Sequence, residues 1–343
     1  MSTRSKAYAL AGVDVDLGNK VKSGLPALLK TAHRPEVLGK VGGFGGLFRA
    51  SFGRMKDPVL VASIDGVGTK IKIAALLNQH KTIGEDLVNH CVNDIAVLGA
   101  EPLFFLDYMA SERLEPDRFQ QIITGMVRGC RKAGCALIGG ETAQMPGIYH
   151  GADYDLVGTI VGVVDRKKII DGSKIRPGDV IIGLPSSGLH TNGYSLAREI
   201  LFNQLGCRLD ASLGNGMVLG DELLRVHTLY LPQIRKVREK ITIKGIAHIT
   251  GGGFVDNIPR VLPENVDAEI NLGTWPISPL FKMLASAAHV PNEELYQVFN
   301  MGIGMTLIVA AKDAKEVAKL SKGRIIGQIV KGNRKVVLKE AKK

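Results

Sequence analysis

Aromatic residues, cysteines and long apolar runs are all scarce in this 343-residue chain, and each scarcity removes a class of protein. Aromatics make up 5%, with a single tryptophan, and no basic stripe interleaves with them as base stacking would require. No apolar run approaches the ~18 residues that cross a bilayer. Neither nucleic acid nor a membrane is therefore expected as a partner. The four cysteines, Cys91, Cys130, Cys135 and Cys207, form no CxxC pair, so buried free thiols are expected instead of disulfides or a zinc site. Arg4 and Lys6 precede an apolar stretch that stops at Asp14, too early for a secretory signal, and a cytoplasmic location is expected. Internal repeats are absent.

What is present fits a globular chain: 45% apolar and 22% charged residues, with length enough for two domains. The net charge of +11 is unevenly spread. Residues 312–343 hold eleven Lys and Arg against three Asp and Glu, so eight of the eleven net charges lie there. Such a Lys-rich end reads as a solvated face or basic tail.

Short β-branched runs alternate with amphipathic helices, which predicts an α/β or α+β fold. Strands are expected at 59–64, 103–106, 136–138 and 155–164, then at 180–184 and from Thr306. Thr82 and Glu85, in capping-box spacing, open a helix at Ile83. Pro116 suits the first turn of another, whose apolar stripe is Phe119, Ile122, Ile123, Met126, Val127 and Cys130. Further helices are expected from Tyr194 and near Leu280 and Leu295. The charged, aperiodic stretch 165–179 contains Pro177-Gly178 and separates a domain at 1–170 from one at 171–343.

The helix 83–99 carries the first chemical signal. Leu87, Cys91, Ile95 and Leu98 form one apolar row, and Val88, Val92 and Ala96 a second. Asp86, Asn89, Asn93 and Asp94 occupy the remaining side at i, i+3, i+7 and i+8. Short Asp and Asn side chains without Lys suit oxygen ligation of a hard cation. Asp65 ends a strand and opens the loop Gly66-Val67-Gly68-Thr69-Lys70, where backbone N–H groups, a hydroxyl and an ammonium could face phosphate. The GxxxxGK[ST] spacing is absent. Glu141 follows Gly139-Gly140 after another strand. Acidic groups on three separate elements suggest a Mg²⁺ cage facing polyphosphate. In the second half, Ser186-Ser187-Gly188-Leu189-His190-Thr191-Asn192-Gly193 links a strand to a helix, an arrangement suited to a substrate phosphate.

Taken in order, the blocks 65–70, 139–147, 186–196, 248–253 and 300–305 resemble the signatures of the phosphoribosylformylglycinamidine cyclo-ligase (AIR synthetase) family. Ala11-Gly12-Val13-Asp14 and the run from Gly42 to Phe48 are similar to that family as well. The resemblance implies an N-terminal mixed-sheet domain that forms a barrel across a homodimer, and a C-terminal α/β sandwich domain closing over the active site. It implies an ATP- and Mg²⁺-dependent ligase of purine biosynthesis, closing the ring of formylglycinamidine ribonucleotide to give 5-aminoimidazole ribonucleotide, ADP and phosphate. Carried over residue by residue, it implies Asp65, Asn93, Asp94 and Glu141 as metal ligands. Gly66, Gly68, Thr69, Lys70, Gly140 and Glu141 would contact ATP, and Ser187, Gly188, His190, Thr191 and Asn192 the phosphoribosyl substrate. Catalytic roles fall to Asp65, Lys70, Asp94 and His190, the last in substrate positioning. Other ATP-using relatives, of selenophosphate synthetase or thiamine-monophosphate kinase type, are the alternative; the first needs an N-terminal reactive cysteine, whereas the first cysteine here is Cys91. Leu25 stands where the family has lysine, Gln144 where it has glutamate, and the run 226–230 lacks its Pro-Thr-Arg.

Overall fold

The structure is a computed structural model that describes residues 15–38, 45–288 and 290–340. The blocks 11–14 and 42–44 lie outside the described residues. The chain divides into two units, Met1–Ile95 with Glu101–Lys167, and Ala96–Ala100 with Lys168–Lys343. Each unit has its own sheet, as a mixed α/β chain with two domains requires.

In the first unit the helices α1 (Val15–Lys22) and α2 (Leu25–Lys30) precede strand β1 (Pro58–Gly66). Helices α3 (Lys70–Leu77) and α4 (Ile83–Ala96) follow, then β2 (Glu101–Ser111), α5 (Pro116–Ala133), β3 (Ala136–Gln144) and β4 (Tyr154–Asp165). The sheet order is β1-β4-β2-β3. Only β2 and β3 run parallel, and α5 is the crossover that a parallel pair demands. The stripe read from the sequence on α5 is buried throughout. Helices α4 and α5 touch through glycine: a Cβ on Gly84 would lie 2.0 Å from the Ile122 carbonyl oxygen, and one on Gly125 2.6 Å from that of Lys81.

Helix α4 departs from expectation in two ways. It ends at Ala96, so Leu98 leaves the apolar row and is 39% exposed. The capping box does not form: the Thr82 hydroxyl has no partner, while Glu85 turns inward to Lys132 at 2.5 Å and Arg128 at 3.4 Å. On its polar side Asp86, Asn89 and Asn93 are buried, and Asp94 keeps 24% exposure. One face of the sheet, by contrast, stays open. Leu60, Ala62 and Ile64 share it with Val157, Thr159 and Val161, and Leu60 and Ile64 are 63% and 66% exposed.

The second unit runs β5 (Val180–Pro185), α6 (Tyr194–Arg198) continuing as a π-helical segment to Gln204, the short pair β6 (Ser212–Gly214) and β7 (Met217–Val218), α7 (Leu219–Leu223) and α8 (Leu231–Arg238). It continues with β8 (Gly245–His248), α9 (Gly253–Asn257), β9 (Val266–Asn271), α10 (Pro279–Ala288), α11 (Asn292–Val298), β10 (Ile303–Val309), α12 (Ala314–Ser321), β11 (Arg324–Lys331) and β12 (Val336–Lys339). The six-stranded order is β12-β9-β11-β5-β10-β8. Strand β10 is buried along its whole length, which explains why its one polar side chain is that of Thr306. The segment expected as a solvated face or basic tail is folded as far as Glu340: β11 pairs with β5 and β9, β12 pairs with β9, and its lysines take exposed positions. Cys91, Cys130 and Cys135 are buried free thiols, and Cys207 is half-buried.

His80, 1% exposed in the first unit, has Nδ1 3.0 Å from the Tyr154 hydroxyl and, among the described residues, no partner on Nε2. Burial, followed by the nearby Arg118 charge, pulls its pKa down from 6.5 to about 4. A depressed histidine is neutral when folded and takes up a proton on unfolding. Stability therefore falls as pH drops through 6.5 toward 4, by at most about 3 kcal/mol. His80→Gln should flatten that part of the stability–pH curve, read as urea midpoints between pH 4 and pH 7.

Candidate functional site

In the first unit, Gly68 takes φ +55, a left-handed conformation that glycine adopts without penalty, and turns the chain from β1 into α3. The turn delivers Lys70 into the interior. Its ammonium lies 2.8 Å from Asp86 Oδ2, with both side chains fully buried. Burial pulls the Lys70 pKa down, and the adjacent Asp86 carboxylate offsets part of that. The ammonium expected at the ATP phosphates is thus enclosed and ties the loop to the first turn of α4.

One turn further along α4, His90 Nε2 stands 2.8 Å from Asp65 Oδ2 and 3.8 Å from Asp94 Oδ2. Burial alone would depress the His90 imidazolium, but the bond to Asp65 and the charges of Asp94, Asp65 and Asp86 outweigh it, and the pKa is raised. Asp65 shifts the other way: burial pushes it up, yet His90 and the Gly66 N–H hold it below the usual carboxylate range. Ser63 donates to Asp94 Oδ2 at 3.1 Å. The Asp65 and Asp94 side chains keep 45% and 24% exposure. Two partly open carboxylates converge on one imidazole, and their oxygen donors suit a hard divalent cation. His90 is a residue that the polar pattern of α4 did not single out.

The other two expected ligands sit elsewhere. Asn93 is fully buried. Glu141 lies on β3, the edge strand opposite β1, roughly 14 Å away along the sheet at ~4.8 Å per strand. Its register partner is Tyr108, whereas Asp65 is aligned through Gly158 with Asp107, so Glu141 projects to the opposite face. Near it stands another acid missed in the sequence, Asp107, whose carboxyl burial pushes up to about 7. Among the expected ATP contacts, Gly66, Gly68 and Thr69 surround the turn after β1. Gly68 and Thr69 also line a cavity of about 330 Å³ with Ile71, Ala75, Tyr149 and Asp155. Gly140 is packed against Asp107.

The loop 186–193 of the second unit is a preassembled shell. Gly193 precedes α6 at φ +77, and among the described residues no side chain caps the helix. His190, 1% exposed at φ +61, accepts from the backbone N–H groups of Ser187 at 3.2 Å and Thr228 at 3.4 Å through Nε2. That fixes the neutral ring with its proton on Nδ1. Ser187 Oγ donates to the Val226 carbonyl at 2.6 Å. Thr191 Oγ1 lies 3.3 Å from His227 Nδ1, and the Asn192 amide donates to Thr191 Oγ1 at 3.4 Å. Asn300, for which the sequence suggested no role, ties the loop down. Its Oδ1 accepts from Ser186 Oγ and Gly302 N, and its Nδ2 donates to the Gly188 carbonyl at 2.8 Å. Arg225, half-exposed, donates to the Ser187 carbonyl at 3.4 Å and pairs with Glu222 at 2.8 Å, which sets a guanidinium beside the shell.

Two domains, one carrying a glycine turn beside exposed carboxylates and the other a hydroxyl-rich loop, define a class. Residues 50–164 match the N-terminal domain, and 176–339 the C-terminal domain, of AIR synthase related proteins. The phosphoribosylformylglycinamidine cyclo-ligase of Syntrophotalea carbinolica (strain DSM 2380 / NBRC 103641 / GraBd1) is 50% identical over 338 residues, covering 96% of this chain and 97% of its own. The protein of the same name from Bacillus cereus (strain Q1) is 49% identical over 334 residues, 96% of each chain. The chain belongs to the phosphoribosylformylglycinamidine cyclo-ligase family. The hydrogenase maturation protein HypE, solved in complex with ATP, shares the fold with a TM-score of 0.67 at 17% identity, covering 94% of this chain and 91% of its own.

A buried ion pair tolerates loss of both partners better than loss of one. Lys70→Met should cost about 3–5 kcal/mol in urea unfolding by stranding the Asp86 carboxylate, and Lys70→Met with Asp86→Leu should recover most of it.

Proposed function

We propose that this chain closes the imidazole ring of formylglycinamidine ribonucleotide with ATP, releasing ADP, phosphate and 5-aminoimidazole ribonucleotide. The observation that carries the reading is the pairing of Asp65 and Asp94 around His90 beside the Gly66–Thr69 turn, in a chain about half identical to curated cyclo-ligases over nearly its full length. Mg²⁺, when bound, would neutralise the ATP phosphates. Asp65 and Asp94 are the residues that would hold it. Glu141 would serve a separate cation or ATP contact, and Asn93 supports α4 from within. Lys70 acts at a distance, keeping the turn registered on α4.

The formyl oxygen is a poor leaving group until it carries the γ-phosphoryl group, after which the ribose-bound nitrogen can displace phosphate from the formyl carbon. The chain's share of that chemistry is positioning and charge. The second unit's loop, with Ser187, Gly188, His190, Thr191 and Asn192, would seat the ribonucleotide, and Arg225 would add charge for its phosphate. His190 acts in positioning, because both hydrogen bonds to its Nε2 come from the backbone and leave that atom no room to take a proton. ADP release with and without formylglycinamidine ribonucleotide tests the reading. Release that ignores the ribonucleotide would contradict it.

We also propose a homodimer joined through the open face of the first unit's sheet, where Leu60 and Ile64 would otherwise stay wet. A stable interface buries roughly 800 Å² per partner, which a four-stranded face can supply. The site is proposed to operate in the cytoplasm as a step of purine biosynthesis.

Two outcomes are expected. Asp94→Ala should lose ring closure by several kcal/mol of transition-state stabilisation, about a hundred-fold or more, while its circular dichroism matches the parent; turnover within a few-fold at saturating Mg²⁺ would remove Asp94 from the cation site. Light scattering should give twice the 36.8 kDa chain mass, and Leu60→Lys with Ile64→Lys should shift the protein toward that single-chain mass.

A further inference from the structure

We propose that His227 is a positioning residue that sets the substrate loop of the second unit, holding Thr191 by a hydrogen bond and His190 by ring stacking while His248 holds His227 itself. The inference rests on the reading that the loop 186–193 binds the ribonucleotide. His227 is fully buried, yet it lies in residues 225–230, which form neither helix nor strand. Nothing in a regular backbone ladder fixes its ring, so its side-chain contacts must. Its face stacks on His190, with centroids 4.0 Å apart and planes at 20°. Its Nδ1 lies 3.3 Å from Thr191 Oγ1, and its Nε2 lies 3.0 Å from His248 Nε2.

The last distance restricts the protons. Two imidazole nitrogens at 3.0 Å form a hydrogen bond only with one proton between them. When that proton belongs to His227, its Nδ1 is an acceptor and the Thr191 hydroxyl donates to it. When it belongs to His248, His227 Nδ1 carries a proton and donates to Thr191. The Asn192 amide already donates to Thr191 Oγ1, which favours the first arrangement. In both, the direction of the Thr191 hydroxyl follows from the histidine pair.

His248 closes β8 and is in register with Met305 of β10, a fully buried strand. The order of support therefore runs from the sheet to His248, to His227, and from there to two consecutive loop residues. The same short segment adds the Val226 carbonyl, which accepts from Ser187, and the Thr228 N–H, which donates to His190. A loop held this way is ordered before substrate arrives, which lowers the entropic cost of binding without touching the reacting atoms.

Steady-state kinetics of three variants test the assignment. His227→Phe keeps a ring for the stack and loses both hydrogen bonds. It should raise KM for formylglycinamidine ribonucleotide about ten-fold, the equivalent of one net hydrogen bond, with kcat and KM for ATP within about two-fold. His227→Asn, whose amide reaches the Nδ1 position but offers no ring to His190, should return that KM only part of the way to the parent. Thr191→Val removes the hydroxyl with His227 in place and should reproduce the rise, which covers the case of a His227→Phe chain that does not fold. An unchanged KM in His227→Phe or Thr191→Val would overturn the proposal, as would His227→Phe and His227→Asn moving kcat and both KM values together. A parent chain that shows no ribonucleotide-dependent ADP release would count against the ligase reading instead. Spectra of ¹⁵N-labelled histidines then test the inference without turnover: the His248 Nε2 resonance should shift in His227→Phe, which loses the bond between the two rings, and an unshifted His248 resonance would contradict it.

Discussion

The buried pair of Lys70 and Asp86 is the constraint on which the first unit's site depends. Removing an ammonium and a carboxylate from water costs several kcal/mol each, so the pair survives only where packing holds the two groups in close contact. At 2.8 Å, with both side chains sealed, it fastens the turn after β1 to the start of α4. That registration brings Asp65 at the end of β1 opposite His90 and Asp94 on the next turns of the same helix. A helix whose polar side faced water would leave those carboxylates free to rotate. Here they are held by His90 and Ser63, and each stays partly open.

The second unit follows the same logic with neutral groups. Ser186, Ser187, His190 and Thr191 are bonded to the protein itself, through Asn300, the Val226 carbonyl, the Thr228 N–H and His227. Buried polar groups satisfied by one another form a stiff network. Catalysis by positioning needs such stiffness, because a displacement of about 1 Å can cost a hundred-fold in rate. The two units thus supply fixed charge in one case and fixed shape in the other.

Much of this was legible in the sequence where the signal is local. The stripe from Phe119 to Cys130 placed α5, the alternating run before Asp165 placed β4, and the Asp65 and Ser187 loops fell at strand ends as expected. What was not legible is non-local. The strands occur as β1, β2, β3 and β4, but β4 inserts beside β1 and sends Glu141 to the far edge of the sheet. Spacing along α4 showed a polar side without showing that Lys70 would cover it. His227 and Asn300 carry no periodic signature, since their partners lie 36 and 112–114 residues away along the chain. The lysine-rich C-terminal stretch left a solvated face and a tail both open; its lysines are exposed, and the pairing of β11 and β12 within a sheet is again non-local.

The central claim is that phosphoryl transfer makes the formyl oxygen the leaving group. Its most direct test is turnover of formylglycinamidine ribonucleotide carrying ¹⁸O in the formyl group, with mass analysis of the phosphate released. The account predicts one ¹⁸O in each phosphate formed. Unlabelled phosphate, with the ¹⁸O recovered in water, would contradict it.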